Sequence, residues 1–461
     1  MDPHTKRNLK NSIYDGMFAN MFATLTGGMF LTGFALYLEM NEFMIGLLAS
    51  MPFVVTVFQL PASYSILRTG KQKAIACWAA AAARVIWIPI SVVTILSFTS
   101  RSKEITIILG LIFLSYAFVS ISYVSWLSWM SDLVPEDIRG TFFGTRNMIC
   151  GTAGMIVLMV FGGLLDSLNG YVWGALPVGF GITFISAAFF GIFSLYFLNR
   201  ISELGNGSRP ETPHSFVESF SIPFAEPNFT RFLLFTFFWS FSVYLASPFF
   251  TLYYLRDLHF SYSFVAVLGM ISAFADLIGM KIWGRVSDKV KNKPVIQFAG
   301  RVAIFLPLAW VLARPRSLVI PVVLHVVGGG FWAGINLCMN NLLLSISPRE
   351  DRSSFFSLYN IMGGVGAATA PILAGLLLKS VSELDLHLFS WNLFPVHIIF
   401  ITSTLLRLLS FRFLKDVHEP EEVPVGQMVR VLRSVRGLNM TNGFGYLLHP
   451  FIHSAREKRE F

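Results

Sequence analysis

Twelve apolar stretches, most of them twenty residues or longer, punctuate this chain, and very few folds can accommodate them. Lipid offers no partner to a bare peptide N–H or C=O. A segment crossing a bilayer must therefore satisfy its own backbone, which a helix of about 20 apolar residues does. The stretches run over 12–38, 43–66, 74–98, 105–131, 147–167, 174–198, 231–255, 262–284, 294–313, 317–345, 354–379 and 394–414. They predict an all-α membrane protein with twelve transmembrane helices. Only 13% of residues are charged, against about 25% in an ordinary soluble protein. The net charge of +9 would suit nucleic acid, but its distribution argues for a membrane instead. With the N-terminus placed in the cytoplasm, Arg101, Lys103, Arg256, Arg314, Arg316 and Lys379 fall on outward loops or span ends, and Arg84 and Arg301 fall within spans. Every other basic residue falls on cytoplasmic segments or on the cytoplasmic parts of spans. That is the positive-inside bias, with basic groups facing anionic headgroups. It predicts a multi-pass protein of the plasma (inner) membrane with both termini cytoplasmic, no nucleic-acid partner, and the lipid bilayer as its surroundings.

The spans divide six and six. Residues 1–198 are expected to form an N-terminal six-helix bundle and 231–416 a C-terminal one. Between them, 199–230 reads as a cytoplasmic linker, marked by Gly205, Gly207, Pro210, Pro213, Pro223 and Pro227. A short interfacial helix over Ser215–Ala225 fits there. Residues 417–461 read as a cytoplasmic tail, in which Arg430, Arg433 and Arg436 suit either leaflet docking or a solvated segment. Asn206, Asn228 and Asn439 sit in N-x-[ST] patterns on the cytoplasmic side, which discounts glycosylation. Cys77, Cys150 and Cys338 lie in apolar segments and read as packing residues, not disulfides or metal ligands. Met1–Lys10 carries no cleavable signal pattern.

The halves repeat each other. Pro135, Arg139, Phe142, Phe143 and Asn147 recur as Pro348, Arg352, Phe355, Phe356 and Asn360, all at an offset of 213. Upstream, Phe34, Leu36 and Tyr37 match Phe250, Leu252 and Tyr253 at 216, while Gln59 matches Asp276 and Arg84 matches Arg301 at 217. Six helices per copy is an even number, so the duplication is parallel and both halves share one orientation.

After the eighth span stand Gly284, Asp288, Lys289, Lys291 and Lys293. After the second stand Arg68, Gly70, Lys71 and Lys73, with Leu67 where an acid would be. This paired loop signature, the parallel repeat and the segment Asp132–Asn147 with Arg139 and Gly144 resemble the major facilitator superfamily and its bacterial permeases. The resemblance implies two pseudo-symmetric six-helix bundles rocking about a site near the bilayer midplane. It implies cytoplasmic latches, for which Asp288, Gly284, Arg139 and Arg352 are the candidates. It also implies a cavity lined by the first, fourth, seventh and tenth spans. Those spans offer Asn20, Tyr123, Trp126, Trp129, Trp239, Tyr244, Trp332, Asn336 and Asn340. Aromatic faces with amides suit a neutral or amphipathic organic solute, although packing and interfacial belts use the same residues. Absence of a cavity Arg or Lys cluster beyond Arg84 speaks against an organic phosphate. Gly363, Gly364, Gly366, Pro371 and Gly375 give the eleventh span a small face suited to close helix contact. The glycine-proline pattern of many antiporters is missing from the fifth span.

Charges inside spans are costly and mark function by default. Asp276 and Arg301 lie at similar depth on consecutive spans and are expected to pair, with Gln59 and Arg84 as their neutral counterpart. Such a pair either exchanges a proton or simply holds two helices together. Asp15 opens the first span as a proton site, a gate or a first-turn carboxylate. His325 in the tenth span is either titratable or held in packing. The expected function is secondary active transport of a small organic solute by a monomer through alternating access, with protons as the candidate coupling ion and no cofactor or metal. A sensor or scaffold keeping the transporter fold is the alternative. Neither metal-ligand spacing nor a nucleotide loop is present, so no enzyme activity or ATP drive is expected.

Overall fold

Helices begin where the chain supplies acceptors for their free N–H groups. In the computed structural model, which describes residues 2–96, 100–171, 176–202, 222–348, 351–381, 386–388 and 391–423, Asp2 accepts from the N–H groups of His4 and Thr5, and Pro3 opens the helix behind it. Asn41 and Ser261 cap the second and eighth spans in the same way. Twelve helices are long and apolar enough to cross a membrane: α1 (Pro3–Tyr37), α2 (Glu42–Ile66), α3 (Gln72–Ile95), α4 (Arg101–Leu133), α5 (Arg139–Leu168), α6 (Pro177–Asn199), α7 (Pro227–Asp257), α8 (Tyr262–Val290), α9 (Asn292–Leu312), α10 (Val319–Ile346), α11 (Ser354–Val381) and α12 (Val396–Lys415). Several outrun their apolar stretch, because the polar flanks stay helical. Between α11 and α12 the chain makes one small antiparallel hairpin, β1 (Leu386–Leu388) and β2 (Trp391–Leu393), with Leu386 opposite Leu393.

Five helices are interrupted: α3 briefly at Ile86, three residues before Pro89, and four more, each with a local cause. In α1, Gly27 is extended and Gly28 takes φ +50, while Thr26 turns its hydroxyl back to the Phe22 carbonyl. Pro52 in α2 is followed by a 3-10 turn at Val55–Phe58, and Pro307 in α9 by another at Trp310–Leu312. Pro248 in α7 precedes a π-turn at Tyr253–Asp257. Proline removes one N–H and its ring crowds the preceding turn, so regular α geometry lapses nearby.

Helix α1 packs on α5 and α6, and α3 on α4 and α6; in the second half α7 packs on α11 and α12, and α9 on α10 and α12. Across the halves, α2 lies on α11 and α5 on α8. The apolar core shows how the bundles meet. One cluster is continuous through both halves and includes Phe30, Phe34, Phe184, Phe249, Tyr253 and Phe400. Toward the face where α1 starts and α12 ends, that core splits. A cluster around Phe232, Trp239, Trp283 and Phe355 belongs to the second half alone, and one around Trp129, Met130 and Leu198 to the first. Large apolar side chains such as Leu60, Trp78, Val160 and Leu405 stay exposed on the helices, the surface lipid would solvate.

The linker expectation over 203–221 and the tail beyond 423 lie outside the described residues, with Asn206, Asn439, Arg430, Arg433 and Arg436 among them. Asn228 is described, and its side chain both donates to and accepts from the His418 backbone.

Candidate functional site

The bundles touch at the face opposite the termini. A Cβ on Gly46 of α2 would overlap the Pro371 carbonyl of α11, and one on Gly375 would stand 2.5 Å from the Glu42 carbonyl. Such backbone contact requires glycine. Arg256 of α7 bridges to Glu42 of α2 at 2.9 Å and to its neighbour Asp257 at 2.9 Å. Asp166 of α5 accepts from the N–H groups of Tyr262 (2.7 Å) and Ser263 (2.8 Å) and from the Ser263 hydroxyl. A carboxylate from one half thus sits on the free N–H groups of an α8 N-terminus from the other, where the helix dipole favours an anion. Beside this seam lies a cavity of about 820 Å³, lined by Tyr37, Glu39, Asp166, Arg256, His259 and Tyr262. Sequence reading counted Arg256 as an outward base and passed over Glu42 and Asp166, because a carboxylate near a span end is commonplace.

On the terminus side, every ion pair among the described residues stays within one half: Arg139 with Glu136, Lys291 with Glu421, and Lys293 with Glu422. The chain following α12 returns as a strap. Buried Glu419 accepts from Asn292 N (2.9 Å), Asn292 Nδ2 (2.7 Å) and Lys293 N (2.7 Å) at the start of α9, and Val423 N donates to Val290 O. Lys291 and Lys293 of the signature loop are therefore met by the chain's own tail. Asp288 is exposed and makes no ion pair among the described residues. Gly284 lies against Leu337 of α10. Arg139 caps the end of α4 through Ser131 O and Val134 O, and Arg352 Nε is buried with no partner among the described residues. With the halves parted here, the expected latch residues meet no helix end of the other half.

Three charges converge inside the first bundle. Arg84 lies on the buried stripe Ala76, Ala79, Ala80, Ala83 of α3. Its Nη2 donates to Ser194 Oγ of α6 at 2.7 Å, and that hydroxyl donates to Asp15 Oδ1 of α1 at 2.5 Å. All three residues are buried. Gly191 leaves room for the Arg84 stem, since a Cβ there would stand 2.8 Å from Cγ. Arg146 of α5 approaches from the other side, donating to Ser12 O at 3.2 Å and lying 4.4 Å from the centre of the Trp126 ring. Ser194 and Arg146 were not anticipated; Arg146 stands one residue before Asn147 in the repeated segment and could have been found there.

The expected Asp276–Arg301 pair is not formed, and this corrects the sequence reading. Arg301 is exposed and Asp276 half-buried, with no ion pair at either among the described residues. Depth does not set rotation. Helix α9 turns Ala299, Ala303 and Leu306 inward, and Arg301, two residues from the first two, points away. Gln59 likewise makes no bond to Arg84, whose partner is Ser194.

A second cavity, of about 370 Å³, opens inside the second bundle among α7, α8, α9, α10 and α12. Tyr244, Trp332 and Asn336, all anticipated, line it together with His325, Trp310 and Arg407. His325 Nδ1 donates to Pro321 O at 2.9 Å. Arg407 was counted with the cytoplasmic bases and is in fact 3% exposed. It lies on the buried stripe of α12 with His397, Phe400, Thr404 and Leu414, a pattern that marks it as inward-facing. Its Nη1 donates to Ala303 O at 2.7 Å. Its guanidinium lies 6.0 Å and 5.8 Å from the ring centres of Trp239 and Trp332, which themselves stand 5.7 Å apart. The remaining anticipated residues play other parts. Asn20 ties α1 to α5 through Cys150 O at 2.7 Å. Trp129 is buried, with Lys73 over its ring. Asn340 bonds back to Asn336 O, and Tyr123 is exposed.

Twelve spanning helices, two bundles and a one-sided seam define a class of membrane protein. The sequence profile of the Major Facilitator Superfamily matches residues 16–371, and the chain belongs to that family of transporters. Solved structures agree in fold. A mutant of the nucleoside transporter NupG superposes with a TM-score of 0.67 at 13% identity, covering 88% of this chain and 99% of that one. The xylose transporter XylE from E. coli, in an inward open conformation, gives 0.62 at 13% identity, covering 92% and 98%. A bacterial homologue of the iron transporter ferroportin, in its inward-facing state, gives 0.69 at 11% identity, covering 90% and 99%. No curated protein sequence matches the chain significantly.

Proposed function

We propose that the protein is a secondary active transporter that carries a small organic solute by alternating access, with proton coupling at Asp15. The observation that carries the reading is the one-sided opening. The bundles are sealed through α2–α11 and α5–α8 at one face and parted at the other. With both termini in the cytoplasm of a plasma-membrane protein, as the basic loops favour, this is the inward-open state of a monomer. The unit that rocks is each six-helix bundle, 1–198 against 231–416. Closing the terminus side brings Asp288 and Arg352 toward the opposite half, which is where their latch role belongs.

Coupling rests on the Asp15 constellation. Ionised Asp15 is held by the Ser194 hydroxyl, with Arg84 bound to the same hydroxyl and Arg146 on the facing helix. A proton on Asp15 cancels its charge and releases the guanidinium groups, which loosens α1 against α3 and α6. In this way proton occupancy biases which conformation is favoured. The test uses proteoliposomes and a panel of sugars, amino acids, organic acids and lipophilic drugs under an imposed pH gradient. A solute accumulated against its gradient by the wild type, and exchanged but no longer accumulated by Asp15→Asn, is the expected result. Unchanged gradient-driven accumulation in Asp15→Asn overturns the coupling site, and no flux of any solute favours a sensor.

A further inference from the structure

We infer that the cavity in the second bundle reads the carboxylate of an aromatic organic anion, and that Arg407 is the residue that binds it. The inference rests on the transport reading above and adds the substrate class. Burying a guanidinium away from any acid is unfavourable unless something else satisfies it. Arg407 is such a group: no ion pair among the described residues includes it, and no Asp or Glu lines the cavity. The contrast with the first bundle is direct, since Arg84 shares Ser194 with Asp15.

The free part of Arg407 has a shape. Nη1 is taken by the Ala303 carbonyl, and Nε is buried with no partner among the described residues. No acceptor among the described residues takes a hydrogen of the Nε–Nη2 edge, and that edge is the side-on fork that donates to the two oxygens of a carboxylate. A single uncompensated cation matches a monoanion. Two neighbouring indole rings face the guanidinium from one side. The walls offer Tyr244, Phe250, Tyr254, Trp310 and Trp332, flat apolar faces for an aromatic body. Asn336 and Ser247 are exposed on the cavity surface and supply polar contacts at its mouth. The volume of about 370 Å³ falls within the range of small-ligand sites. The expectation of a neutral or amphipathic solute, drawn from aromatic faces with amides, narrows to an amphipathic anion because Arg407 adds a cation to that lining.

The test is equilibrium binding to the purified full-length protein in lipid nanodiscs, followed by flux in proteoliposomes. The probes are benzoate, phenylpyruvate and indole-3-acetate, with benzamide and indole-3-acetamide as neutral isosteres and tryptamine as the cation. At least one acid is expected to bind tenfold or more tighter than its amide. Arg407→Gln should erase that preference, and Arg407→Lys, which keeps the charge but not the fork, should keep only part of it. Ser247→Asp, which leaves Arg407 in place and adds a carboxylate to the wall, should weaken the acid at least tenfold and spare the amide. Equal binding of acid and amide, or a preference that survives Arg407→Gln, overturns the inference, as does phenyl phosphate displacing every carboxylate. Transport of a sugar or an amine with no acid bound sinks the anion site and leaves the transporter standing. An acid that binds through Arg407 but never crosses does the reverse.

Discussion

Arg84 and Arg407 are both guanidinium groups deep in a helix bundle, and what meets each decides its role. Arg84 has a hydroxyl and a nearby carboxylate, so removing it strands Asp15. Breaking one member of a buried charge set costs about 3–5 kcal/mol. Arg84→Ala is therefore expected to lower Tm markedly in detergent, while Asp15→Asn with Arg84→Gln recovers much of the loss, because no charge is left alone. A double-variant loss equal to the sum of the Asp15→Asn and Arg84→Gln losses would show that the two residues do not interact. Asp15 and Arg84 were legible in the sequence as charges within spans. Their meeting was not, because Ser194, which joins them, lies 179 positions from Asp15 and a serine in a span carries no signal of its own. Arg407 was hidden for a different reason. Arg412 and Lys415 follow it closely and belong to the end of the helix, so a count of charges by loop swept it up with them. Reading the rotation of α12, instead of its net charge, separates the three.

At the scale of elements, the sequence made the helices and their pairing by repeat plain, because a bilayer imposes both length and apolarity on every span. Which faces meet was less plain. The small face expected on α11 is real but divided: Gly363 and Gly366 pack on α7 of the same half, while Pro371 and Gly375 reach α2 of the other. The contact that seals the far side is thus a stretch of backbone against backbone at Gly46. Gly46→Leu cannot fit there and is expected to drive α2 off α11, favouring the state open at that face. A membrane-impermeant maleimide on Leu36→Cys, in the cavity beside the seam, should then react several-fold faster from outside than in the Gly46 parent. An unchanged rate would mean that the seam is not what shuts this face.

For the whole molecule, two similar halves with a continuous core at one face and separate cores at the other amount to a hinged clamp. The number of spans and the parallel repeat disclosed the clamp. They did not disclose which way it stands open, because two such states differ by only a few kcal/mol and the same residues serve both. Here the Arg256–Glu42 bridge and the Asp166 cap are both made, joining the halves at the closed face. The tail strap adds stability rather than direction. Glu419→Ala leaves two N–H groups of α9 and the Asn292 amide without an acceptor, and unmet buried donors cost about 1–3 kcal/mol each. A Tm lowered by several degrees is expected, with the apparent affinity for the solute unchanged. A change in affinity with no loss of Tm would assign the strap to gating.

That strap also tells anyone expressing the protein where a reporter or purification handle belongs. Spliced directly after the last helix at Asp416, a fusion partner would displace Glu419 and Glu422 from Asn292 and Lys293, and poor yield would then be blamed on the membrane rather than on the cut. Joined beyond Val423, it leaves those bonds in place.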